Sequence, residues 1–212
     1  MNLAAFRKEY TLAGLRRRDL AENPITQFEE WFQQAVKAEI PEPTAMSLAT
    51  VNKLGQPSLR TVLLKAVDQR GFVFCTSCIS RKGNELQENS NVALLFFWKE
   101  LERQVCITGV ARKTPAEESE VYFKVRPVGS QLGAWASLQS SIVENRETLE
   151  NRFKEVEQKY SGQEVPLPPY WGGYVVAPET IEFWQGRVNR LHDRFLYTKQ
   201  SDASWKIARL SP

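Results

Sequence analysis

The sequence predicts a mainly β protein: an antiparallel barrel, closed or partly closed, with helices inserted between its strands. Three observations carry this. Short runs rich in β-branched and aromatic residues recur along the chain, separated by tight turns such as "NKLGQP" and "DQRG", and short strands so joined pair antiparallel. About eight such runs occur, enough to curl a sheet into a barrel. At 212 residues, with no internal repeat, low-complexity segment or composition break, the chain supports one core.

The elements follow in order. "LRRRDLAENPITQFEEWFQQAVKAEI" begins with a basic cluster and becomes a helix: Pro24 suits a first turn, and Phe28, Trp31, Phe32 and Ala35 recur at helical spacing. "PEP" at 41–43 stops it. "TAMSLATV", "SLRTVLLKAV" and "FVFCTS" read as strands. "SRKGNELQENS" is a short helix or turn, after which "NVALLFFW" and "ERQVCITGVARK" resume the strands. From "TPAEESEVYFKVRP" to "EVEQKY" the pattern is helical, broken at Pro127–Gly129. A proline-rich loop, "EVPLPPYWGG", leads to three final strands in "YVVAPETIEFWQG", "RFLYTK" and "SWKIARL".

Composition narrows the function. A net charge of +3 pulls only weakly toward nucleic acid, and no apolar run approaches a membrane span. The N-terminus "MNLAAFRKEY" lacks the apolar stretch of a signal peptide, so a cytoplasmic protein is expected. Cys75, Cys78 and Cys106 are odd in number, which argues against a disulfide framework. With the single histidine, His192, they could make a Cys3His zinc site. A second closely spaced ligand pair is missing, however, and cysteines in apolar strands usually serve as small hydrophobes. Neither GxGxxG, GxxxxGK[ST] nor GxSxG is present, so chemistry must come from arginine, lysine and hydroxyl groups or from a cofactor.

Anion-binding candidates are plentiful. In "SRKGNEL", Ser80 as N-cap places Arg81 and Lys82 in a first helical turn, where cations oppose the macrodipole unless a phosphate joins them. A solvated basic turn reads the same. Arg60 and Lys65 lie in an apolar run, on opposite strand faces unless a bulge intervenes. Tyr122, Arg126 and Ser130, spaced four apart, offer two hydroxyls and a guanidinium for a phosphate, or else an exposed helix face. If "RLHDRFLY" is a strand, Arg190, His192 and Arg194 share one face, as an anionic-ligand site or a solvated basic edge.

The tail "IEFWQGRVNRLHDRF" closely resembles the signature of the pyridoxine/pyridoxamine 5'-phosphate oxidases, as do "RTVLLK", "SRK", "LERQV", "YFKVRPVGSQLGAW", "QSS" and "PLPPYWGGY". The matches keep their order from about Arg7 to the C-terminus, so the resemblance covers nearly the whole chain. It implies an FMN-binding split barrel, an antiparallel Greek-key barrel with flanking helices. Residues 1–212 would form a single domain, with 1–20 a mobile N-terminal arm and 170–212 the signature strands. It further implies a homodimer with FMN at the subunit interface. By resemblance, Arg60, Thr61, Val62, Leu63, Leu64 and Lys65 line the FMN site with Cys75, Thr76, Arg81, Lys82 and Gln104. Gln139, Ser140, Trp184 and Arg194 would complete it, some of them from the other subunit. Lys65, Tyr122, Arg126 and Ser130 would hold the substrate phosphate. Arg190 and His192 would lie over the substrate ring as the catalytic pair, with Arg7 and Tyr10 closing over them. Cys75 stands where the family often has an aromatic residue, a departure beside the flavin.

The implied activity is oxidation of pyridoxine or pyridoxamine 5'-phosphate by dioxygen, with no nucleic-acid or membrane partner. Two other readings keep parts of the pattern: an FMN split barrel acting on another substrate, and a non-enzymatic pyridoxal phosphate carrier. Arg16–Arg18 read as a solvated patch or as a second site for an anionic product.

Overall fold

The computed structural model describes Met1, Leu3 and residues 9–212 of the chain. Helix α1 (Pro24–Lys37) begins where Asn23 Oδ1 accepts the Ile25 N–H at 2.8 Å, with Pro24 in the first turn. Its buried stripe of Ile25, Phe28, Trp31 and Ala35 enters the core. Phe28 meets Phe72 and Phe96 with ring centroids 4.9 Å apart in each pair, and Trp31 meets Phe183 at 5.2 Å.

Nine strands follow: β1 (Ala45–Val51), β2 (Pro57–Leu63), β3 (Ala66–Asp68), β4 (Gly71–Ser77), β5 (Asn91–Trp98), β6 (Arg103–Lys113), β7 (Trp171–Gln185), β8 (Asp193–Lys199) and β9 (Trp205–Leu210). All neighbours are antiparallel, in the order β2-β1-β5-β6-β7-β4-β3. The two ends of that order are joined by only Leu64 and Lys65. Leu64 N–H donates to Thr44 and Lys65 N–H to Val73, so the barrel closes where one strand bends from β1 to β4. This break answers the opposite-face expectation for Arg60 and Lys65: Lys65 lies outside both strands.

Strand β7 runs for 15 residues, twice a typical strand length, because it serves two partners in succession. Its first part, Trp171–Val176, pairs with β4; Thr180–Gln185 pairs with β8, which carries β9 outward. The step between them needs Gly109 on β6, where an added Cβ would lie 2.1 Å from the Ala177 carbonyl oxygen. Alternation along the strands turns Met46, Leu48, Leu94, Phe96, Val105, Ile107, Ile181 and Phe183 inward. The opposite face carries Leu59, Thr61, Leu63, Phe97, Gln104, Cys106 and Trp184, none of them buried.

Helix α2 (Arg81–Glu88) sits between β4 and β5; α3 (Ala116–Lys124), α4 (Val128–Ala136) and α5 (Arg146–Lys159) lie between β6 and β7. The break expected at Pro127 separates α3 from α4. A second small core of Phe123, Leu132 and Val165 anchors these helices. The segment expected as an arm, residues 1–20, contributes Leu15 and Leu20 to the main core. Arg17 pairs with Glu22 at 2.7 Å, and Arg18 lies 3.8 Å from Asp19. Among the described residues no helix is long and apolar enough to cross a membrane.

Candidate active site

A cavity of about 670 Å³ opens where β2 and β4 meet α2, α3 and α4. Thr61, Val62, Leu63, Lys65, Cys75, Thr76, Lys82, Tyr122, Arg126, Ser130 and Gln139 line it, so the structure gathers eleven of the expected site residues at one place. Ser80 caps α2 by accepting the Gly83 N–H at 3.2 Å. That cap turns Lys82 inward. Its ammonium donates to Gln139 Oε1 at 2.9 Å and Thr76 Oγ1 at 3.2 Å, and the residue is only 8% exposed. Both acceptors are neutral, and no carboxylate lies within ion-pair distance among the described residues. Burial, then the charge of Arg60, lowers the Lys82 pKa. A buried cation held only by neutral groups is costly unless an anion joins it.

On the other side of the cavity, Lys65 Nζ lies 5.5 Å from the Tyr122 ring centroid. Tyr122 stacks on Trp171, 6.0 Å away with 9° between planes, and the Arg126 guanidinium lies 5.0 Å from the Trp171 ring. Lys65 and Arg126 likewise have no carboxylate partner among the described residues, and Arg126 has a buried terminal nitrogen without a hydrogen bond. Desolvation lowers its pKa. Ser77 Oγ, also at the cavity, is buried and unpartnered. Cys75 also lines the cavity, and burial, opposed by the charges of Lys65 and Arg126, pushes its thiol up to about 11, so the thiol is neutral at pH 7.

Four expected residues that neighbour the lining ones in the chain do not line this cavity. The Arg60 guanidinium donates to Leu48 O, Thr50, Ser58 and the buried carboxylate of Glu85. Arg81 Nε donates to Glu85 at 2.9 Å, Leu64 is buried in the core, and Ser140 is exposed with φ +74°. Burial alone would raise the Glu85 carboxyl, but hydrogen bonds from Ser58, Thr50, Arg81 and Arg60 outweigh it and hold the pKa at about 2.

The remaining expected residues lie elsewhere. Gln104, Trp184 and Arg194 line a separate recess of about 260 Å³ with Cys106, Glu182 and Pro212. Arg194 is gripped by Glu182 at 2.7 and 3.0 Å. Beside it, His192 lies 4.5 Å from Trp184, and Tyr10 approaches both rings, at 5.7 Å from Trp184 and 5.8 Å from His192. Gly172 pairs with Thr76 and Trp184 with Gln104, so the two groups are separated by twelve residues of β7, or about 40 Å measured along the strand. They share no lining residue.

The one-faced row of Arg190, His192 and Arg194 does not form. Strand β8 starts only at Asp193, because Val188–Arg190 make a 3-10 turn with Asn189 and Arg190 at φ +56° and +60°. That turn brings His192 Nδ1 within 3.1 Å of the Arg187 N–H, which donates to it. Burial, then the charge of Arg190, keeps the His192 pKa below its ordinary value, so the ring is neutral at pH 7 with its proton on Nε2. Arg7 lies outside the described residues. Cys75 and Cys106 lie on β4 and β6, and no group of three metal-ligating side chains exists among the described residues.

Sequence reasoning missed Trp171, Ser77 and Asp193. Trp171 is visible only as the residue before two glycines, and its stacking depends on α3 folding back onto β7.

Comparison with known proteins decides what these features belong to. Residues 32–160 match the family described as Pyridoxamine 5'-phosphate oxidase, and residues 171–212 match the Pyridoxine 5'-phosphate oxidase C-terminal dimerisation region. The chain belongs to the pyridoxamine 5'-phosphate oxidase family. A pyridoxine/pyridoxamine 5'-phosphate oxidase of Crocosphaera subtropica is 56% identical over 214 residues, covering 100% of both chains. One from Paraburkholderia phytofirmans is also 56% identical, over 100% of this chain and 99% of its own. Among solved structures, PhzG from Burkholderia lata 383, in complex with tetrahydrophenazine-1-carboxylic acid, has a TM-score of 0.90 at 32% identity, covering 97% of this chain and 100% of its own. A pyridoxamine 5'-phosphate oxidase-related, FMN binding protein from Nostoc punctiforme has a TM-score of 0.72 at 13% identity, covering 91% and 100%, and shares the fold. The oxidase family therefore accounts for both the split barrel and the strands that leave it.

Proposed function

We propose that this chain is the FMN-dependent oxidase that converts pyridoxine 5'-phosphate and pyridoxamine 5'-phosphate to pyridoxal 5'-phosphate, acting as a homodimer with FMN at the subunit interface. The alcohol and dioxygen give the aldehyde and hydrogen peroxide; the amine also consumes water and releases ammonia. The observation that carries this reading is a cavity with three cations, Lys65, Lys82 and Arg126, none paired with a carboxylate among the described residues. Such a cavity calls for more than one anionic group, and a phosphorylated cofactor beside a phosphorylated substrate supplies two.

The residues present fit FMN. Lys82 and Thr76, both buried, form with the exposed Gln139 a donor set for its phosphate, with Thr61, Val62 and Leu63 alongside. Gln104, Trp184 and Arg194 would come from a second copy, because β7 holds them far from the first set. Such a copy has an open face to meet: Leu59 and Phe97 are 69% and 51% exposed. FMN held there would supply the redox chemistry of the oxidation.

The chain's own residues position and neutralise. Lys65 and Arg126, with the Tyr122 and Ser130 hydroxyls, take the substrate phosphate. Arg190 and His192 of the second copy, near the Trp184 side of its recess, would lie against the substrate ring. Because Nδ1 of His192 is occupied by the Arg187 N–H, the neutral ring presents a donor at Nε2. It therefore orients the substrate rather than removing a proton from it.

The test is direct. Purified protein loaded with FMN should release hydrogen peroxide on addition of pyridoxine 5'-phosphate. Unphosphorylated pyridoxine or an aromatic carboxylate should be turned over far more slowly. Equal turnover of a phosphate-free substrate would support the reading as a flavoenzyme of another substrate. Binding of pyridoxal phosphate with no peroxide would support a carrier.

A further inference from the structure

Four side chains in the main cavity form one continuous stack. Lys65 lies over Tyr122, Tyr122 lies parallel to Trp171, and Arg126 lies over the far ring, 5.0 Å from Trp171 and 5.4 Å from Phe123. Most other arginines of this barrel are held differently. Arg60 and Arg81 are tied to Glu85, Arg70 to Asp68 and Glu118, and Arg194 to Glu182. Among the described residues Arg126 has no ion pair and no side-chain hydrogen bond, although one of its terminal nitrogens is buried. The contacts that its guanidinium makes there are with the ring faces of Trp171 and Phe123.

The difference matters for a site that must bind an anion. A cation oriented by a carboxylate has its charge already neutralised, and an incoming phosphate must compete with the resident anion. A cation oriented by a π face keeps its full charge and its N–H donors for the ligand. Trp171 is the centre of this arrangement, since it touches Tyr122 and Arg126 directly and reaches Lys65 through Tyr122. It is itself fixed as the first residue of β7, with its N–H donated to Pro168 O at 3.0 Å and its ring against Phe123 at 5.3 Å.

We propose that Trp171 is a positioning residue for phosphate selectivity: its indole holds Arg126 and Tyr122, and through Tyr122 Lys65, in the orientation that receives the substrate phosphate. This deepens the proposed function and rests on it for the identity of the phosphate ester. The role belongs to the ring face, so it should survive in Trp171→Phe and be lost in Trp171→Leu.

The experiment reads binding separately from turnover. Equilibrium binding of pyridoxal 5'-phosphate to the FMN-loaded dimer is measured for the wild type, Trp171→Phe, Trp171→Leu, Arg126→Gln and the Leu/Gln double variant. Trp171→Leu should weaken binding about tenfold, on the scale of one or two cation–π contacts, and Trp171→Phe by about threefold or less. The double variant should be worse than Arg126→Gln by less than the factor that Trp171→Leu costs alone, because part of the tryptophan's effect passes through the arginine and the rest through Tyr122 and Lys65. In turnover, KM for pyridoxine 5'-phosphate should rise in Trp171→Leu more than kcat falls, and the preference for phosphorylated over free pyridoxine should shrink by the same factor. A merely structural loss would lower the melting temperature and the amount of bound FMN without changing that preference. Multiplicative effects of the two substitutions, or an unchanged preference in Trp171→Leu, would overturn the proposal. Failure of the wild type to make peroxide would count against the proposed function, while the binding measurements would still decide the role of Trp171.

Discussion

Replacing Lys82 by methionine should make the flavin-free protein more stable and the flavin-loaded protein less so. Lys82 is buried with an ammonium whose only acceptors among the described residues are Gln139 Oε1 and Thr76 Oγ1, and burial lowers its pKa. The Thr76 hydroxyl already donates to Gln139 at 2.9 Å, so methionine leaves that bond in place while removing the desolvated charge. Exchanging a buried ionic group for an apolar one of similar volume is neutral to stabilising by roughly 1–4 kcal/mol. About 1 kcal/mol is reasonable here, because the ammonium already has two hydrogen bonds, and it corresponds to roughly 2–4 °C in Tm for a chain of this size. The same substitution removes a charge-assisted hydrogen bond to the flavin phosphate, worth about 1.5–3 kcal/mol, so Kd for FMN should rise about 10- to 100-fold. At fixed FMN the variant then loses about 1.4–2.7 kcal/mol of ligand stabilisation, more than it gained. Thermal melts with and without FMN, together with quenching of FMN fluorescence, read both halves. The melting curves of wild type and variant should exchange order when FMN is added. A variant that is less stable in both states, or that binds FMN as tightly as the wild type, would refute the claim that Lys82 is a cation awaiting an anion.

Three further outcomes are expected. Because burial and then Arg190 hold the His192 pKa below 6.5, the neutral ring and its bond to the Arg187 N–H are present at pH 7 and lost as pH falls through the lowered value. kcat/KM should fall along that acid limb, the limb should shift upward in Arg190→Gln, and it should vanish in His192→Asn; a thousandfold loss of kcat in His192→Asn with unchanged substrate affinity would show that the ring does more than orient. Glu85→Gln should cost about 2 kcal/mol by urea denaturation at pH 7, less than a fully buried pair because the Arg60 and Arg81 side chains are 20% and 65% exposed. Since the Glu85 carboxyl titrates at about 2 in the fold instead of 4.5, that stabilisation is fully present above pH 4.5, and the gap to the variant should close as pH falls toward 2. Phe97→Glu on the open sheet face should give monomers by sedimentation and lose FMN with the partner's half of the site; a dimeric, flavin-loaded variant would place the interface elsewhere.

The strands and the first helix were legible because their signals are local. Turn signals bounded the strands, and the spacing of Phe28, Trp31 and Ala35 set the buried face of α1. Ser80 as a cap and Pro127 as a break were read from single residues whose backbone preferences leave few alternatives. The loop carrying His192 was misread for the same reason: "FLY" signals a strand, but nothing in the residue types requires Asn189 and Arg190 to take positive φ. Those angles are set by packing around Asp193, whose carboxylate accepts from the Leu15 N–H at 3.0 Å and from Arg209 at 2.6 Å, partners far away in the chain. The gathering of Lys65, Tyr122 and Arg126 could be suspected from residue chemistry, but the tryptophan joining them could not, because stacking depends on a contact between α3 and β7.

Counter-ions distinguish basic residues that look alike in the sequence. Arg60, Arg81 and Arg194 were expected at the flavin beside Lys82, yet each of the three has a carboxylate partner, whereas Lys82, Lys65 and Arg126 have none among the described residues. The paired group is partly consumed before any ligand arrives. Arg60 spends both terminal nitrogens on Leu48, Thr50, Ser58 and Glu85, and so ties β2 to β1 and α2. All three of the unpaired group retain their charge, and Lys82, which is buried, and Arg126, which is half-buried, also carry a cost of burial that is recovered when an anion is present. A ligand that supplies the missing charge therefore stabilises the fold as it binds. On the proposed function, flavin and phosphorylated substrate would do this at different cations of one cavity, Lys82 for the first and Lys65 with Arg126 for the second. Each should consequently raise the melting temperature in the absence of turnover, and the substrate's increment should be the one that Trp171→Leu removes.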